Sequence, residues 1–463
     1  MVAEASGAAT AEPELIPASF AQQQLWVLDQ LVPGNPFYNM SAAALLSGPL
    51  NVPALRWAVS RITDRHEVLR TTFKAVNGAV QQIIGEARPA MVDEVDLSRM
   101  AGARARAAEL TVGMAQAAFD LARGPLWRVS VLRIGEHENI LLITMHHIIS
   151  DGWSVRVLVA ELNAFYSAFF GGRRADLPPL IVQYGDFAIW QRSRLQGTEL
   201  DTQRDYWRRT LADMPTALEL PYDYPRPSVR SYSGASHHFE LSSVLRSRVA
   251  ELARRERTTV FMTVLAAFQL LLSCYTAADD VAVGSLVAGR VREELELLIG
   301  FFANTVVLRT DLSGDPTFRE LLGRVREVAL GAYSNQDIPF EQIVEDVSPV
   351  REPGRNPLVQ VLLVIRDIAR APMALPGVKA EGLGDPSPVS RFDLTLYLED
   401  GPEVLGGTFE YSAELFKRAT VSRFANHLDH LLQDVTADPD KPVSQVSIIG
   451  PEEYHQIVVE WNA

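Results

Sequence analysis

Met145-His146-His147-Ile148-Ile149-Ser150-Asp151-Gly152-Trp153-Ser154 is the stretch on which the reading of this chain turns. It follows an almost uninterrupted apolar run, Ile140 to Met145, patterned as a strand buried on both faces. Apolar residues at Val155, Leu158, Leu162, Phe165, Tyr166 and Phe169 then mark one face of an amphipathic helix, closed by Gly171-Gly172. Two histidines therefore stand where a buried strand ends, with Asp151-Gly152 turning the chain before the helix. Strand side chains alternate faces, so His146 and His147 are expected to point opposite ways, one into a cleft and one into the interior. Such a site supplies one positioned imidazole rather than a pair of metal ligands.

At 463 residues the chain exceeds a single core, and length alone suggests about two to four domains. Its 47% apolar and 22% charged content is that of an ordinary globular protein. A net charge of −14 argues against nucleic acid as the partner. The single cysteine, Cys274, excludes a disulfide framework within the chain and is expected to be a buried packing residue. Met1 to Pro17 is rich in Ala and Glu and lacks the basic start of a secretory signal, so residues 1–17 read as a disordered leader. The longest apolar run, Val260 to Cys274, falls short of the roughly 18 residues a bilayer span needs. The expectation is a cytoplasmic protein with no membrane contact.

Read in order, Ser19 and Gln22 form a capping box for a helix through Leu31, ended near Pro33-Gly34. A strand over Ala42 to Leu46 precedes a helix capped by Asn51, with Pro53 in its first turn. Leu69 to Phe73 is strand-like, 101–118 helical, and Leu126 to Ile134 and Ile140 to Met145 are strands. Residues 171–179, with two prolines, read as a domain boundary, after which helical signal runs from Tyr184 to about Leu211. Pro221 to Pro227 reads as an extended linker. The second half alternates similarly, with Thr258 or Thr259 capping the apolar helix up to Cys274, strands at 237–241, 281–287, 306–310, 358–365, 394–398 and 408–411, and helices at 242–255, 318–334 and 421–435. The expected division is a leader over 1–17, an α/β unit over 18–178, a second over 179–450, and a linker-like tail over 451–463.

The chemistry follows from residue types. The sequence has no Gly-x-Ser-x-Gly elbow, no phosphate-cradling glycine loop and no zinc-spaced Cys/His set. Its remaining histidines are scattered. An aspartate four residues after the second histidine can be buried as a charge only beside a cation. The following glycine lets backbone approach a ligand closely. A neutral imidazole is the usual general base for an attacking amine or hydroxyl.

His146-His147-x-x-x-Asp151-Gly152 resembles the signature of the condensation domains of nonribosomal peptide synthetases, which is shared with chloramphenicol acetyltransferase-like acyltransferases. Further stretches resemble that family's other motifs in order: Ser19 to Trp26, Arg65 to Phe73, Tyr184 to Trp190, Ile299 to Thr305, Asn335 to Glu341 and Arg355 to Leu358. Together they cover roughly residues 15 to 450. The resemblance implies an α/β fold, a pseudo-dimer of two chloramphenicol acetyltransferase-like subdomains in a V with a central tunnel. It implies His147 as catalytic histidine, with His146 and Asp151 structural and Arg290 pairing with Asp151 across the subdomain junction. Backbone near Gly152 is the candidate for stabilising a developing oxyanion. Trp153, Ser154, Tyr184, Asn304 and Asn335 are candidates for the tunnel lining, and about 376–392 for a latch. Gln24, Asn335 and Ala303 depart from the family's usual arginine, histidine and valine.

The implied activity transfers a carrier-protein-bound acyl or aminoacyl thioester to an amine or hydroxyl acceptor. The implied partners are a peptidyl or acyl carrier protein, whose phosphopantetheine carries the substrate, and a small-molecule or carrier-bound acceptor. No cofactor or metal of the protein's own is expected, and the expected state is a monomer. An epimerising relative shares the signature, but Asn335 to Glu341 fits condensation better. A coenzyme A-dependent plant-type acyltransferase would carry a late Asp-Phe-Gly-Trp-Gly, which is missing. A non-catalytic recruitment platform of the same fold would have an eroded motif, whereas this one is intact. Ile457 to Asn462 resembles a segment leading into an adenylation domain, retained on the expected free-standing enzyme. Because carrier domains of such systems are typically acidic, docking is expected at local basic pairs, Arg173 with Arg174 and Arg351 with Arg355.

Overall fold

Helix caps written into the sequence set the first elements. Ser19 Oγ accepts the Gln22 amide at 3.1 Å while Gln22 Oε1 accepts the Ser19 amide at 3.0 Å, a complete capping box. Asn51 Oδ1 accepts the Ala54 amide at 2.8 Å, with Pro53 in the first turn. Thr259, rather than Thr258, caps the apolar helix by accepting the Met262 amide at 3.1 Å. The computed structural model describes residues 15–172, 174–215, 217–347, 352, 354–366, 372–386, 389–401 and 405–460.

In chain order the elements begin with β1 (Leu15–Pro17), α1 (Phe20–Leu31), β2 (Asn39–Ser47), α2 (Val52–Arg65), β3 (Thr71–Val76), β4 (Ala79–Ile84), β5 (Val92–Asp96) and α3 (Ala103–Ala115). There follow β6 (Trp127–Arg133), β7 (Glu138–His146), α4 (Gly152–Gly171), α5 (Tyr184–Arg194), α6 (Gly197–Thr210), β8 (Gly234–Leu241), α7 (Ser243–Arg255) and α8 (Val260–Thr276). Next come β9 (Asp280–Val287), β10 (Asn304–Asp311), α9 (Phe318–Ser334), α10 (Phe340–Val347), β11 (Val361–Arg366) and β12 (Lys379–Gly384). The described chain closes with β13 (Leu394–Asp400), β14 (Leu405–Ser412), α11 (Arg418–Ala437) and α12 (Pro451–Val458).

The described residues divide into two units. The first gathers those up to Arg194 together with Arg290–Phe302 and those between 372 and 386. It holds a five-stranded sheet in the order β12-β2-β7-β6-β5 and a three-stranded sheet, β1-β4-β3. β7 is covered on both faces, as its apolar run requires. Leu141, Ile143 and Met145 join one core cluster with residues of α2 and α4, while Ile140 and Leu142 join another with Ala107 of α3. The second unit holds a six-stranded sheet, β10-β9-β11-β13-β14-β8, mixed because β11 runs parallel to both β9 and β13. Its core takes in Val264 to Leu272 of α8 and the inner faces of α9 and α11. Among the described residues no single helix is long and apolar enough to cross a membrane.

Several expectations need correction. The boundary placed after residue 178 falls inside the first unit, because α5 carries Tyr184 and Phe187 into that unit's core. Two pieces of the chain's second half also belong there, and β12 pairs antiparallel with β2 to complete the sheet. Of the expected leader, residues 1–14 lie outside the described residues, while Leu15–Pro17 pairs with β4 rather than being disordered. The tail contains α12, and Cys274 is exposed rather than buried. The helical signal from 184 to 211 is two helices, broken between Arg194 and Gly197, and Gly197 opens the second with a φ of +56° that suits glycine.

Burial separates the leucines energetically. Leu55 on α2 is fully buried and Leu31 at the end of α1 is 71% exposed. Leu55→Ala should lower stability by about 2–5 kcal/mol in urea unfolding, and Leu31→Ala by less than about 0.5 kcal/mol. Equal effects would contradict the packing of α2.

Candidate active site

β7 ends at His146, and the chain turns through a short 3₁₀ segment, His147–Ile149, before α4. The two histidines separate as expected, though by this turn rather than by strand alternation. His146 is buried at 3% exposure, and its Nδ1 accepts the Ile148 amide at 3.1 Å. An accepting Nδ1 puts the proton of the neutral ring on Nε2. His147 is half-buried, its Nδ1 lies 2.8 Å from the Ser150 carbonyl, and its backbone amide donates to Tyr38 O at 2.7 Å. A carbonyl only accepts, so Nδ1 of His147 carries the proton and Nε2 is the basic nitrogen. Adjacent imidazoles are thus held in opposite tautomers. The Phe301 ring stands 4.4 Å from the His147 ring, centroid to centroid.

Asp151 is both the cap of α4 and a buried ion. Its Oδ1 accepts the Ser154 amide at 2.8 Å, and the Ser154 hydroxyl lies 2.7 Å away. Arg290 spans both oxygens, Nη1 to Oδ2 at 3.1 Å and Nη2 to Oδ1 at 3.3 Å, and Phe302 donates its amide to Oδ2 at 3.1 Å. Both side chains of the pair are almost wholly buried, 3% and 1% exposed. Nη2 of Arg290 also reaches Leu298 O at 3.0 Å, and the guanidinium lies over the Phe302 ring at 4.1 Å. Burial draws the Arg290 guanidinium below its ordinary value and Asp151 pushes it back up. The pairing is as expected, but both partners lie in the first unit, not across a junction.

The other sequence candidates part company. Ser154 is fully buried and bridges the pair to Gly300, accepting its amide at 3.0 Å. Tyr184 is equally buried, donating to Phe301 O at 2.6 Å and lying 2.9 Å from Ser19 Oγ. Burial pushes its phenol well above the usual range. Ser154 and Tyr184 therefore brace the site rather than line an open passage. Trp153 is half-buried, its indole donating to Glu296 O at 2.8 Å, with Arg156 stacked 3.7 Å from the ring. Gly152 is exposed, and a side chain there would meet nothing within 4 Å.

Asn304 and Asn335 belong to the second unit and do not join His147 within the first. Asn304 Nδ2 donates to Gln336 O and Ile338 O at 2.8 and 2.7 Å, and its Oδ1 accepts the Phe340 amide at 3.1 Å. Asn335 ends α9, donating to Gly331 O at 2.9 Å. Asn304 thus holds the backbone leading into α10, and Asn335 closes the last turn of α9.

Of the proposed docking pairs, Arg173 and Arg351 lie outside the described residues. Arg355 is only 10% exposed and paired with Glu219 at 2.8 Å and Glu352 at 3.3 Å, so it is a structural ion rather than an open basic patch. His427 is also committed to packing, with Nε2 2.8 Å from Glu453 and Nδ1 2.6 Å from the Tyr275 hydroxyl. Reading the sequence alone missed the Ser150 carbonyl, a backbone group with no residue-type signal. It also missed the roles of Gly300 and Phe301, although the stretch from Ile299 to Thr305 had stood out as a motif.

A strand covered on both faces, a turn presenting one imidazole with Nε2 as its basic nitrogen, and a buried Asp–Arg pair at the start of α4 characterise the site of this mixed α/β protein. A family model described as Condensation domain matches residues 13–458. One of the linear gramicidin synthase proteins of Brevibacillus parabrevis is 43% identical over 451 residues, covering 96% of this chain and 6% of that protein. The chain spans 6 to 9% of the length of the three linear gramicidin synthase proteins it matches. Among solved structures, the X-domain from teicoplanin biosynthesis aligns with a TM-score of 0.84 at 31% identity, covering 95% of this chain and 99% of that one. A four-domain nonribosomal peptide synthetase shares the fold, with a TM-score of 0.82 at 24% identity over 96% of this chain and 35% of that one. The chain belongs to the condensation-domain family.

Removing either member of the buried pair strands the other. Asp151→Ala and Arg290→Ala should each cost about 3–5 kcal/mol, and the double variant less than their sum. Denaturant unfolding of the four proteins measures this, and strict additivity would mean the two side chains do not interact.

Proposed function

We propose that this chain catalyses condensation, transferring an acyl or aminoacyl group from a carrier-bound thioester to an amine, or alternatively a hydroxyl, acceptor. The observation that carries the reading is the His147 imidazole, fixed through Nδ1 on Ser150 O with Nε2 as its basic nitrogen. As the acceptor nitrogen attacks the thioester carbonyl, a C–N bond forms and the C–S bond breaks. His147 Nε2 takes the proton lost by the amine and returns it to the departing thiolate, leaving amide and free thiol. The negative charge on the carbonyl oxygen is met by first-turn amides of α4 at Gly152, where the helix has no internal acceptor for them. His146 and the Asp151–Arg290 pair hold the turn and touch no substrate in this scheme. Thioester aminolysis requires no redox or metal partner, and the donor arrives on the phosphopantetheine of a carrier protein. A monomer in a cytoplasmic setting completes the proposal.

Membership in a family whose relatives include peptide synthetases supports the amide-forming version. The likeness to an X-domain, one whose complex with OxyB has been solved, favours a second reading, a platform that binds a partner protein without chemistry. One assay separates the two readings. Intact-mass spectrometry of loaded carrier proteins, mixed with this protein and an acceptor pool, should show acyl transfer. His147→Ala should lower that rate by about 10²–10⁴-fold with an unchanged circular dichroism spectrum. A folded variant that keeps near wild-type rate would remove His147 as the base, and transfer by neither protein would leave the platform reading.

A further inference from the structure

Four consecutive residues of the Arg290–Phe302 piece are each gripped by a side chain from elsewhere in the first unit. Ile299 donates its amide to His66 Nδ1 at 3.4 Å, and Gly300 donates to Ser154 Oγ at 3.0 Å. Phe301 O accepts from the Tyr184 hydroxyl at 2.6 Å, and Phe302 donates to Asp151 Oδ2 at 3.1 Å. Gly300 has no room for a side chain, since a Cβ there would lie 2.0 Å from Tyr184 Cδ2. The backbone is thus fixed at every step, and the half-buried Phe301 ring is what it presents to His147, 4.4 Å away.

Three of those grips come from residues already tied to the Asp151 cap or to α5. The fourth, His66, has no part in the chemistry proposed above. It follows the end of α2, is 1% exposed, and its Nε2 lies 2.9 Å from Glu161 Oε2 on α4. Its Nδ1 accepts an amide proton, so its own proton is on Nε2 and is donated to Glu161. Glu161 is itself buried and already neutralised by Arg65, whose Nε reaches Oε1 at 2.7 Å. The carboxylate therefore has its cation without His66. What the imidazole adds is a rigid acceptor for the Ile299 amide, anchored at its far side by a fixed carboxylate.

We infer that His66 is a positioning residue for the reaction, holding Ile299 so that the Phe301 ring packs against the His147 imidazole. The inference rests on His147 being the working base, but the placement itself is testable without turnover. Nuclear magnetic resonance of the full chain, labelled at histidine, reads the carbon-bound ring protons of His147, identified as the signals missing from His147→Ala. These protons sense the Phe301 ring current. Phe301→Leu removes it and moves them. His66→Leu should move them toward the same positions, and adding it to Phe301→Leu should move them no further. His66→Asn, whose Oδ1 can take the place of Nδ1 as acceptor for Ile299, should leave them near wild type. His66→Gln, which keeps a donor for Glu161 but misplaces the acceptor, should behave as His66→Leu and serves if that variant does not fold. In the acyl-transfer assay, kcat should fall by the same factor in His66→Leu and Phe301→Leu, with the donor KM unchanged. His147 signals that stay put in both His66→Leu and His66→Gln, or shifts that add in the double variant, would overturn the inference. A loss of the kinetic effect alone, with the shifts as expected, would instead count against His147 as the base.

Discussion

A carboxylate and a guanidinium, both removed from water, form the interaction on which this site depends. Asp151 and Arg290 are 139 residues apart in sequence and almost wholly buried. A pair in that setting is held only if the remaining hydrogen-bonding capacity is met as well. Ser154 and the Phe302 amide serve Asp151, and the Leu298 carbonyl serves Arg290. Of the three guanidinium nitrogens of Arg290, only Nε lacks a hydrogen-bond partner among the described residues. The pair thereby welds the start of α4 to a piece of chain from the second half of the sequence.

The consequences run outward from that weld. Asp151 caps α4, which fixes where the helix begins and so where the 3₁₀ turn carrying His147 must end. Arg290 brings Leu298 to Phe302 into the same core as Ile148, Tyr184 and Phe187. One of those residues, Phe301, closes against the His147 ring. Backbone then decides protonation: an amide on His146 Nδ1 and a carbonyl against His147 Nδ1 place neighbouring imidazoles in opposite tautomers. The buried carboxylate, helix capping and tautomer choice all meet between His146 and Ser154.

Local signals in the sequence carried far. The Ser19–Gln22 capping box, the Asn51 cap and the two-faced burial of β7 are consequences of nearby residues and appear where the sequence placed them. The need of Asp151 for a cation also followed from charge and burial alone, and the resemblance pointed to Arg290. What escaped was non-local. β12 has the sequence Lys379-Ala380-Glu381-Gly382-Leu383-Gly384, mostly exposed and without apolar alternation, so only its pairing with β2 makes it a strand. The same holds for the return of Arg290–Phe302 to the first unit, which moved the boundary between units and turned a supposed junction pair into an internal one. Tyr184 and Ser154 were placed beside an opening because they sit in motifs, yet their hydroxyls are consumed by the carbonyl of Phe301 and the amide of Gly300.

Amide hydrogen exchange at Gly300 and Phe302 tests most directly whether the buried pair holds this piece of chain. Both amides end on side chains of α4 or its cap rather than on a strand. Resolved by mass spectrometry of the intact chain's peptides, they should exchange as slowly as the buried amides of β7, and Arg290→Ala should release them while β7 stays protected. Exchange at Gly300 and Phe302 as fast as in an open loop, in the unaltered protein, would contradict the account.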